Sequence, residues 1–500
     1  MSLTALPSDL IILILLPLRV AELAQLARTC RLLNALVKEY GWAGYLRRNP
    51  RPSFSLSHTT CDWAPVDRVR YDILTDRAWT FNKFIARPLS SPWTGKVQPI
   101  LAISDTRLAL AAGNVVYIYQ FASSRRKDGK EAPGLREEGV VLLQGSHEGR
   151  RDITSITFAD DDAEDRTFYV GFHDGGLVLV KLPLTPQNEL GHDDAGATPQ
   201  HGGPRFIAAQ ITPMLLGDSD IADGDFVESL ESRQDLLLSL TSTGIATLHD
   251  SKSLSLLGSH LELGTRGWTS LLSLRPSTPF AVFGTSSRNP LTVHAITNAE
   301  LSSTPLAILH RNDQYSNVTS SAVYGICQPP LSSPWGSSPH VVVSGWYDGI
   351  VRCYDLRSSL RAQTDSHDTT PGPAPLRCVL SVSDPWSYEP IYSVSCGGGS
   401  SAHIAAGSAR HSVVSFWDVR QPKTGWSVHA PGNDSSPVYT VILESSRLFG
   451  ATQSRSFVYD FGPGVGVSTY PSLPMTTRNG LRLKKGNSIG YSVTKYKHKK

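Results

Sequence analysis

His340-Val-Val-Val-Ser344-Gly-Trp-Tyr-Asp348-Gly-Ile-Val-Arg-Cys-Tyr354-Asp355-Leu-Arg357 is a β-prone run, an Asp-Gly turn, and a second run that closes on an aromatic-Asp pair. His403-Ile-Ala-Ala-Gly-Ser408, with Val413-Val-Ser-Phe-Trp417-Asp418-Val-Arg420, repeats the plan. Short β-branched and aromatic runs punctuated by Gly, Asp and Ser read as strands joined by tight turns. A plan that recurs along a chain is read first as a structural repeat. Working outward, weaker copies lie at Leu108–Gly113 with Val115–Tyr119, at Phe168–Val180 around Asp174, at Leu236–Asp250, at Phe280–Thr285 with Leu291–Ile296, and at Leu448–Thr452 with Ser456–Asp460. The count comes to seven, and helical periodicity is scarce from about Pro99 onward.

These units resemble WD repeats, the four-stranded blades of a β-propeller. The resemblance implies a seven-bladed, all-β propeller over residues 98–465, with Pro-, Gly- and Asp-rich loop insertions near 183–204 and 358–375. The Gly-His half of the repeat is degenerate, with Gly145-Ser-His147 as one copy. In such a blade the turn aspartate and a second-strand hydroxyl hydrogen-bond to an upstream histidine and a third-strand tryptophan, satisfying buried polar groups. His147, Asp174, Ser344, Asp348, Tyr354, Asp355, Trp417 and Asp418 are therefore read as a structural blade motif and not as catalytic. Tyr354 stands where the motif favours tryptophan, which predicts a weaker network there.

The N-terminus reads differently. Pro7 and Ser8 suit a helix start with the serine as cap, and Pro17 ends the first run after about two turns. Ala21–Arg28 and Thr29–Lys38 place Leu23, Leu26, Cys30, Leu33 and Leu36 at three- and four-residue spacings. Helices so short and so apolar do not bury their leucines alone, and a protein partner is the expected solution. The ordered string Leu6-Pro7-x-Asp9-Leu10, Ile14-Leu15-x-x-Leu18, Leu23-x-x-Leu26-x-x-x-Cys30-Arg31 and then Trp42 resembles an F-box. Leu33-Asn34 departs from that pattern.

The resemblance implies that Leu6, Pro7, Leu10, Ile14, Leu15, Leu18 and Leu23 meet a Skp-type adaptor, with Cys30, Leu33 and Trp42 holding the motif together. The expected organisation is a small all-α F-box module at 1–50, an aromatic-rich connector at 51–97 that docks on the propeller, the propeller itself, and a basic tail at 466–500. Within that tail Ser488 to Thr494 alternates like a strand and is a candidate to help close the ring. A flexible tether is the alternative for the connector.

Composition excludes much. The 47 basic and 44 acidic residues nearly balance and do not by themselves call for nucleic acid or membrane, so no membrane partner is expected and nucleic acid is disfavoured, the basic tail apart. The six cysteines form no C-x-x-C pair and no Cys/His cluster suited to zinc, which fits a reducing cytoplasmic or nuclear compartment. Asp9 ahead of the apolar run and Pro17 behind it argue against a signal peptide or a spanning helix. No nucleophile elbow, phosphate loop or zinc-protease motif is found, so no catalytic residue, metal or cofactor is expected. The acidic run Asp160–Asp162 reads as a solvated turn and Gly397–Gly399 as a turn between strands.

The functional expectation, by resemblance, is a non-catalytic substrate-recognition subunit of an SCF-type ubiquitin ligase, joining adaptor and cullin to a protein target. Two alternatives stand beside it. One is a scaffold that binds the adaptor without a cullin. The other is a receptor for a different cullin ligase through Tyr354-Asp355-Leu356-Arg357 and Trp417-Asp418-Val419-Arg420. Related receptors read phosphorylated segments with rim arginines; Arg288, Arg352 and Arg410 are candidates between which the sequence does not choose.

Overall fold

The structure, a computed structural model, describes all residues except 1–2, 52, 126–130, 144–150, 162–163, 185–204, 215–224, 254, 312–319, 334–337, 362–372, 433–434, 474–488 and 500. His147, most of both insertions and the basic stretch from Arg478 to Lys485 lie outside the described residues. Among the described residues a short 3-10 turn, Leu3–Ala5, leads into α1 (Ser8–Leu15), α2 (Val20–Leu26), α3 (Arg31–Leu36), α4 (Trp42–Arg48), α5 (Ser55–Thr59) and α6 (Pro65–Thr80), and the regular elements that follow are β strands apart from a 3-10 turn at Val467–Thr469. A π-helical turn, Val37–Gly41, runs α3 directly into α4. Ser8 is not the cap that the sequence suggests: Pro7 takes that position and no side chain caps the helix.

The leucine spacing explains the helical core. Ile11, Leu15, Leu23, Leu33, Leu36, Val37 and Trp42 close on one another and on Val69 of α6. The short helices thus find part of their partner within the chain, one α6 residue completing the core.

The β body is built from antiparallel meanders whose first strands are Ile100–Ile103, Ile153–Phe158, Val227–Arg233, Gly267–Ser273, Ser321–Cys327, Ile391–Gly397 and Val438–Leu443. The fourth and fifth meanders are joined in one sheet because Ser286 and Ser287 pair with Ala322 and Ser321. Each first strand lies against the next meander's first strand, and Val438–Leu443 meets Ile100–Ile103 again. Second strands such as Arg107–Ala112, Val341–Trp346, His403–Ser408 and Arg447–Thr452 are buried along their whole length. Their short apolar runs, Leu108–Ala112, Val341–Val343, Ile404–Ala406 and Leu448–Phe449, suit burial on both faces. Apolar clusters fill the space between consecutive meanders, including one that joins Phe449 and Val458 of the last to Leu108 and Leu110 of the first. Four-stranded sheets packed face to face in this way are consistent with a β-propeller.

Two strands come from unexpected places. Ile85–Pro88, inside the connector, pairs with Ser456–Asp460 as the outer strand of the last meander. The tail does not take that edge: its strand is Lys495–Lys497, later than the Ser488–Thr494 alternation suggests, and it lies on Gly425–His429 as a fifth strand of the neighbouring sheet. Tyr491 still touches the closing strand, its N–H donating to Ala86 O at 2.9 Å.

Candidate functional site

The helical module presents one uncovered face. Leu10, Leu13 and Ile14 of α1 are 47%, 60% and 38% exposed, spaced so that they stand on one side of the helix. Leu6 and Leu18 are partly buried, Pro7 is exposed, and Leu32 of α3 adds a further exposed leucine. Two of the residues assigned to adaptor contact are placed otherwise: Leu15 and Leu23 are only 2% and 0% exposed and form the module's own core. Their spacing marks the inward side of the helices. Leu13, which the motif does not name, belongs to the outward row, and its place three residues after Leu10 is the signal that identifies it.

This module is held to the β body by a buried polar joint. Glu444, in the turn after Val438–Leu443, accepts hydrogen bonds from the Ser55 N–H at 2.8 Å and the Phe54 N–H at 3.1 Å. Its carboxylate also pairs with Arg447 at 3.2 Å, both side chains being fully buried, and Arg447 reaches Ser55 Oγ. Tyr71 of α6 donates to Ser446 Oγ at 2.9 Å, and Trp79 Nε1–H donates to Ser445 O at 2.9 Å. The Trp79 ring stacks on Phe461 at 3.6 Å and on His403 at 4.4 Å. Gly398, at φ +66°, makes room: a Cβ there would come within 3.0 Å of the Trp79 ring. Burial pushes the Asp460 carboxyl up to about 6, against the opposing pull of Arg447. Burial likewise raises Asp72 of α6 to about 6, although Arg51 lies 3.2 Å away.

Glu444, Ser445, Ser446 and Gly398 lie in turns between first and second strands, and His403 and Phe461 stand at that same end of their sheets. The opposite end of the first strands is roughly 16 Å away, five residues at about 3.3 Å each. There, beside the turns between second and third strands, Trp268, Tyr324, Tyr392 and Tyr439 form a half-buried run of touching rings. Tyr347, 58% exposed in the turn after Trp346, leans on Tyr324 at 6.5 Å. Helical module and aromatic rim therefore occupy opposite faces.

The blade motif is wired differently from the expectation. In the sheet of Val341–Trp346, Asp348 pairs with Arg352 at 2.8 and 3.0 Å instead of with a histidine. The tryptophan that donates to Ser344, at 2.8 Å, is Trp346 of the second strand and not a third-strand residue. Tyr354 fills the third-strand position and sends its hydroxyl to His310 O at 2.7 Å. Asp174 pairs with Arg151 at 2.6 Å. Asp355 and Asp418 hold their own Arg357 and Arg420 at 2.8 and 2.7 Å.

Trp417 is buried beside His498 of the tail, their rings 5.5 Å apart. That histidine enters a network unsuspected from the sequence, which places it 81 residues away from the tryptophan. Ser427 Oγ donates to Asp384 at 2.7 Å and lies 2.8 Å from His498 Nε2, while Tyr496 donates to Asp384 at 2.7 Å. Burial alone would raise the Asp384 carboxyl; hydrogen bonds from His498, Ser427, the Trp386 N–H and Tyr496 outweigh it and hold the group at about 2.

Elsewhere, Asp161 accepts from the N–H groups of Asp165, Arg166 and Thr167 at 2.7–2.9 Å, capping a turn. Among the described residues no cluster of His, Cys, Asp and Glu is arranged to hold a metal ion, and no helix is long and apolar enough to cross a membrane.

No family model matches the sequence. The chain is similar to the F-box/WD repeat-containing protein 4 of Homo sapiens, 30% identical over 132 residues, which is 25% of this chain and 26% of that protein. The match spans about a quarter of the relative's length, and together with the sheet-rich body it fits WD repeats.

Proposed function

We propose that this chain is a closed seven-bladed propeller carrying an F-box, and that it serves as the substrate-recognition subunit of an SCF-type ubiquitin ligase. The return of Val438–Leu443 to Ile100–Ile103, and the strand Ile85–Pro88 that completes the last meander, support the ring. The observation that carries the function is the outward row Leu10, Leu13 and Ile14 on a module locked to the face opposite the aromatic rim. An exposed apolar row of this kind is costly in water and suits a helix-in-groove contact with a Skp-type adaptor. The joint fixes the distance and angle between that contact and the far rim. A target held there sits at high effective concentration near a charged conjugating enzyme, so the chain itself supplies no catalytic group.

The arrangement of Asp384, Ser427 and His498 supports a non-catalytic reading. Carboxylate and hydroxyl both face the same nitrogen, Nε2, at 3.3 and 2.8 Å. A nucleophilic triad needs the carboxylate on the other ring nitrogen. Arg357 and Arg420 are bound back on their own aspartates, which disfavours the route through another cullin ligase. The proposed working compartment is the cytoplasm or nucleus.

Affinity capture of the full chain tests the proposal. Adaptor and cullin should both be recovered, and Leu10→Asp with Leu13→Asp should abolish both, with the melting temperature of the β body unchanged. Adaptor recovered without cullin would instead establish the scaffold. Capture of both by the double variant would remove the helical row from the account.

A further inference from the structure

Six first strands carry a register shift at an equivalent place near their start, and the residues skipped are Thr154, Glu228, Trp268, Tyr324, Tyr392 and Tyr439. A bulge turns its residue out of the in-and-out alternation of a strand and re-aims the side chain. Four consecutive bulges are aromatic. Trp268 meets Tyr324 at 5.0 Å and 74°, Tyr324 meets Tyr392 at 5.3 Å and 78°, and Tyr392 stacks on Tyr439 at 5.7 Å. Two successive near-right angles make corners walled by ring faces, and the negative face of an aromatic ring attracts a cation. The same rim already holds one cation this way: the Arg266 guanidinium lies 4.4 Å from the Trp268 ring and 5.1 Å from Phe226.

Anion reading has less to work with here. None of the six bulge residues is basic. Three arginines of this rim are matched by carboxylates, Arg266 by Glu228 at 2.7 Å, Arg151 by Asp174 at 2.6 Å and Arg410 by Glu389 at 3.6 Å. Arg352 is buried against Asp348. A phosphate would have to displace those carboxylates, whereas a cation finds ring faces that are half exposed.

We propose that the arc of Trp268, Tyr324, Tyr392 and Tyr439 receives a lysine or arginine side chain from an extended segment of the target protein. This rests on the receptor reading above and names the class of segment received. The tyrosines supply neutral rings, since a phenol is protonated at neutral pH, and burial shifts those of Tyr324 and Tyr439 further the same way.

The test uses the full chain bound to its adaptor and four peptide pools of randomised flanks, with lysine, arginine, N-acetyl-lysine or phosphoserine fixed at the centre. Lysine and arginine pools should bind roughly 3- to 30-fold tighter than the acetyl-lysine pool, the range expected of one cation–π contact. Tyr324→Leu with Tyr392→Leu should abolish the preference, and Tyr324→Phe with Tyr392→Phe should preserve it. Preference for phosphoserine, equal binding of lysine and acetyl-lysine, or no binding by any pool would each overturn the inference. Cullin recovery from the same preparations keeps the two claims apart: with cullin present, a failed lysine preference sinks only the arc, whereas lost cullin sinks the receptor reading alone.

Discussion

The sheet of Val341–Trp346 and Ile350–Asp355 is tied from within. Its aspartate, its cation and its tryptophan all belong to two adjacent strands and their turn, Arg352 lying 2.8 Å from Asp348 and 4.8 Å from the Trp346 ring. The sheet of His403–Ser408 and Val413–Asp418 carries nearly the same sequence plan and is tied from outside. Trp79 of α6 stacks on its histidine, and His498 of the tail packs beside its tryptophan. A repeat therefore dictates strands and turns, while the polar ties depend on which segments lie alongside. The sheet on which α6 and the tail strand both pack takes ties from them, whereas the Asp348–Arg352–Trp346 tie of the sheet one place earlier is its own.

That contrast breaks most visibly at Trp79. Trp79→Ala removes a ring buried among Phe461, His403 and Phe416 and should cost about 3–5 kcal/mol. Hydrogen exchange should show the Val413–Asp418 amides losing protection while the Ile350–Asp355 amides keep theirs. Equal losses in both would mean that the body opens as one unit and that the distinction between inner and outer ties has no energetic content.

Within the self-sufficient sheet the expected effect is smaller. Arg352→Met leaves the half-buried Asp348 carboxylate without its cation and should cost roughly 2–3 kcal/mol in denaturant unfolding, with the loss borne by the Ile350–Asp355 amides. Adding Asp348→Asn should restore part of it, since no charge is then left to desolvate. If the double variant is no more stable than Arg352→Met alone, the pair is not the tie it resembles.

The sequence carried the strands further than it carried the contacts. Val341–Asp355 and His403–Asp418 fall where the alternation of β-prone runs and Asp-Gly or Ser-rich turns puts them, because that pattern is local. Ile85–Pro88 was hidden in a connector whose aromatic content drew attention first, and its partner strand lies more than 360 residues later. Leu15 and Leu23 were drawn to the surface by their motif, although the same spacing that makes a stripe also makes a core; only the position of α6 tells the two sides apart. The aromatic rim had no sequence signal at all. Its residues are spread over 172 positions, from Trp268 to Tyr439, and become neighbours only because bulged first strands stand side by side.

The smallest effect belongs to the tail. Asp384 titrates at about 2 in the folded chain against an ordinary 3.8, so its contribution of roughly 2 kcal/mol is fully present above pH 4. The sign follows from the direction of the shift: the unfolded chain takes up the proton first, so this stability drains away as the pH falls from about 4 through about 2. Two of the hydrogen bonds that hold the group down come from His498 and Tyr496. Removing residues 489–500 should therefore flatten the acid limb of the stability curve, and Asp384→Asn should flatten it to the same degree without detaching the tail strand. Arg352→Met should leave that limb as steep as before. Should the tail deletion and Asp384→Asn both retain the full acid slope, His498 would be a passenger beside Trp417, and the second sheet would be tied from outside by Trp79 alone.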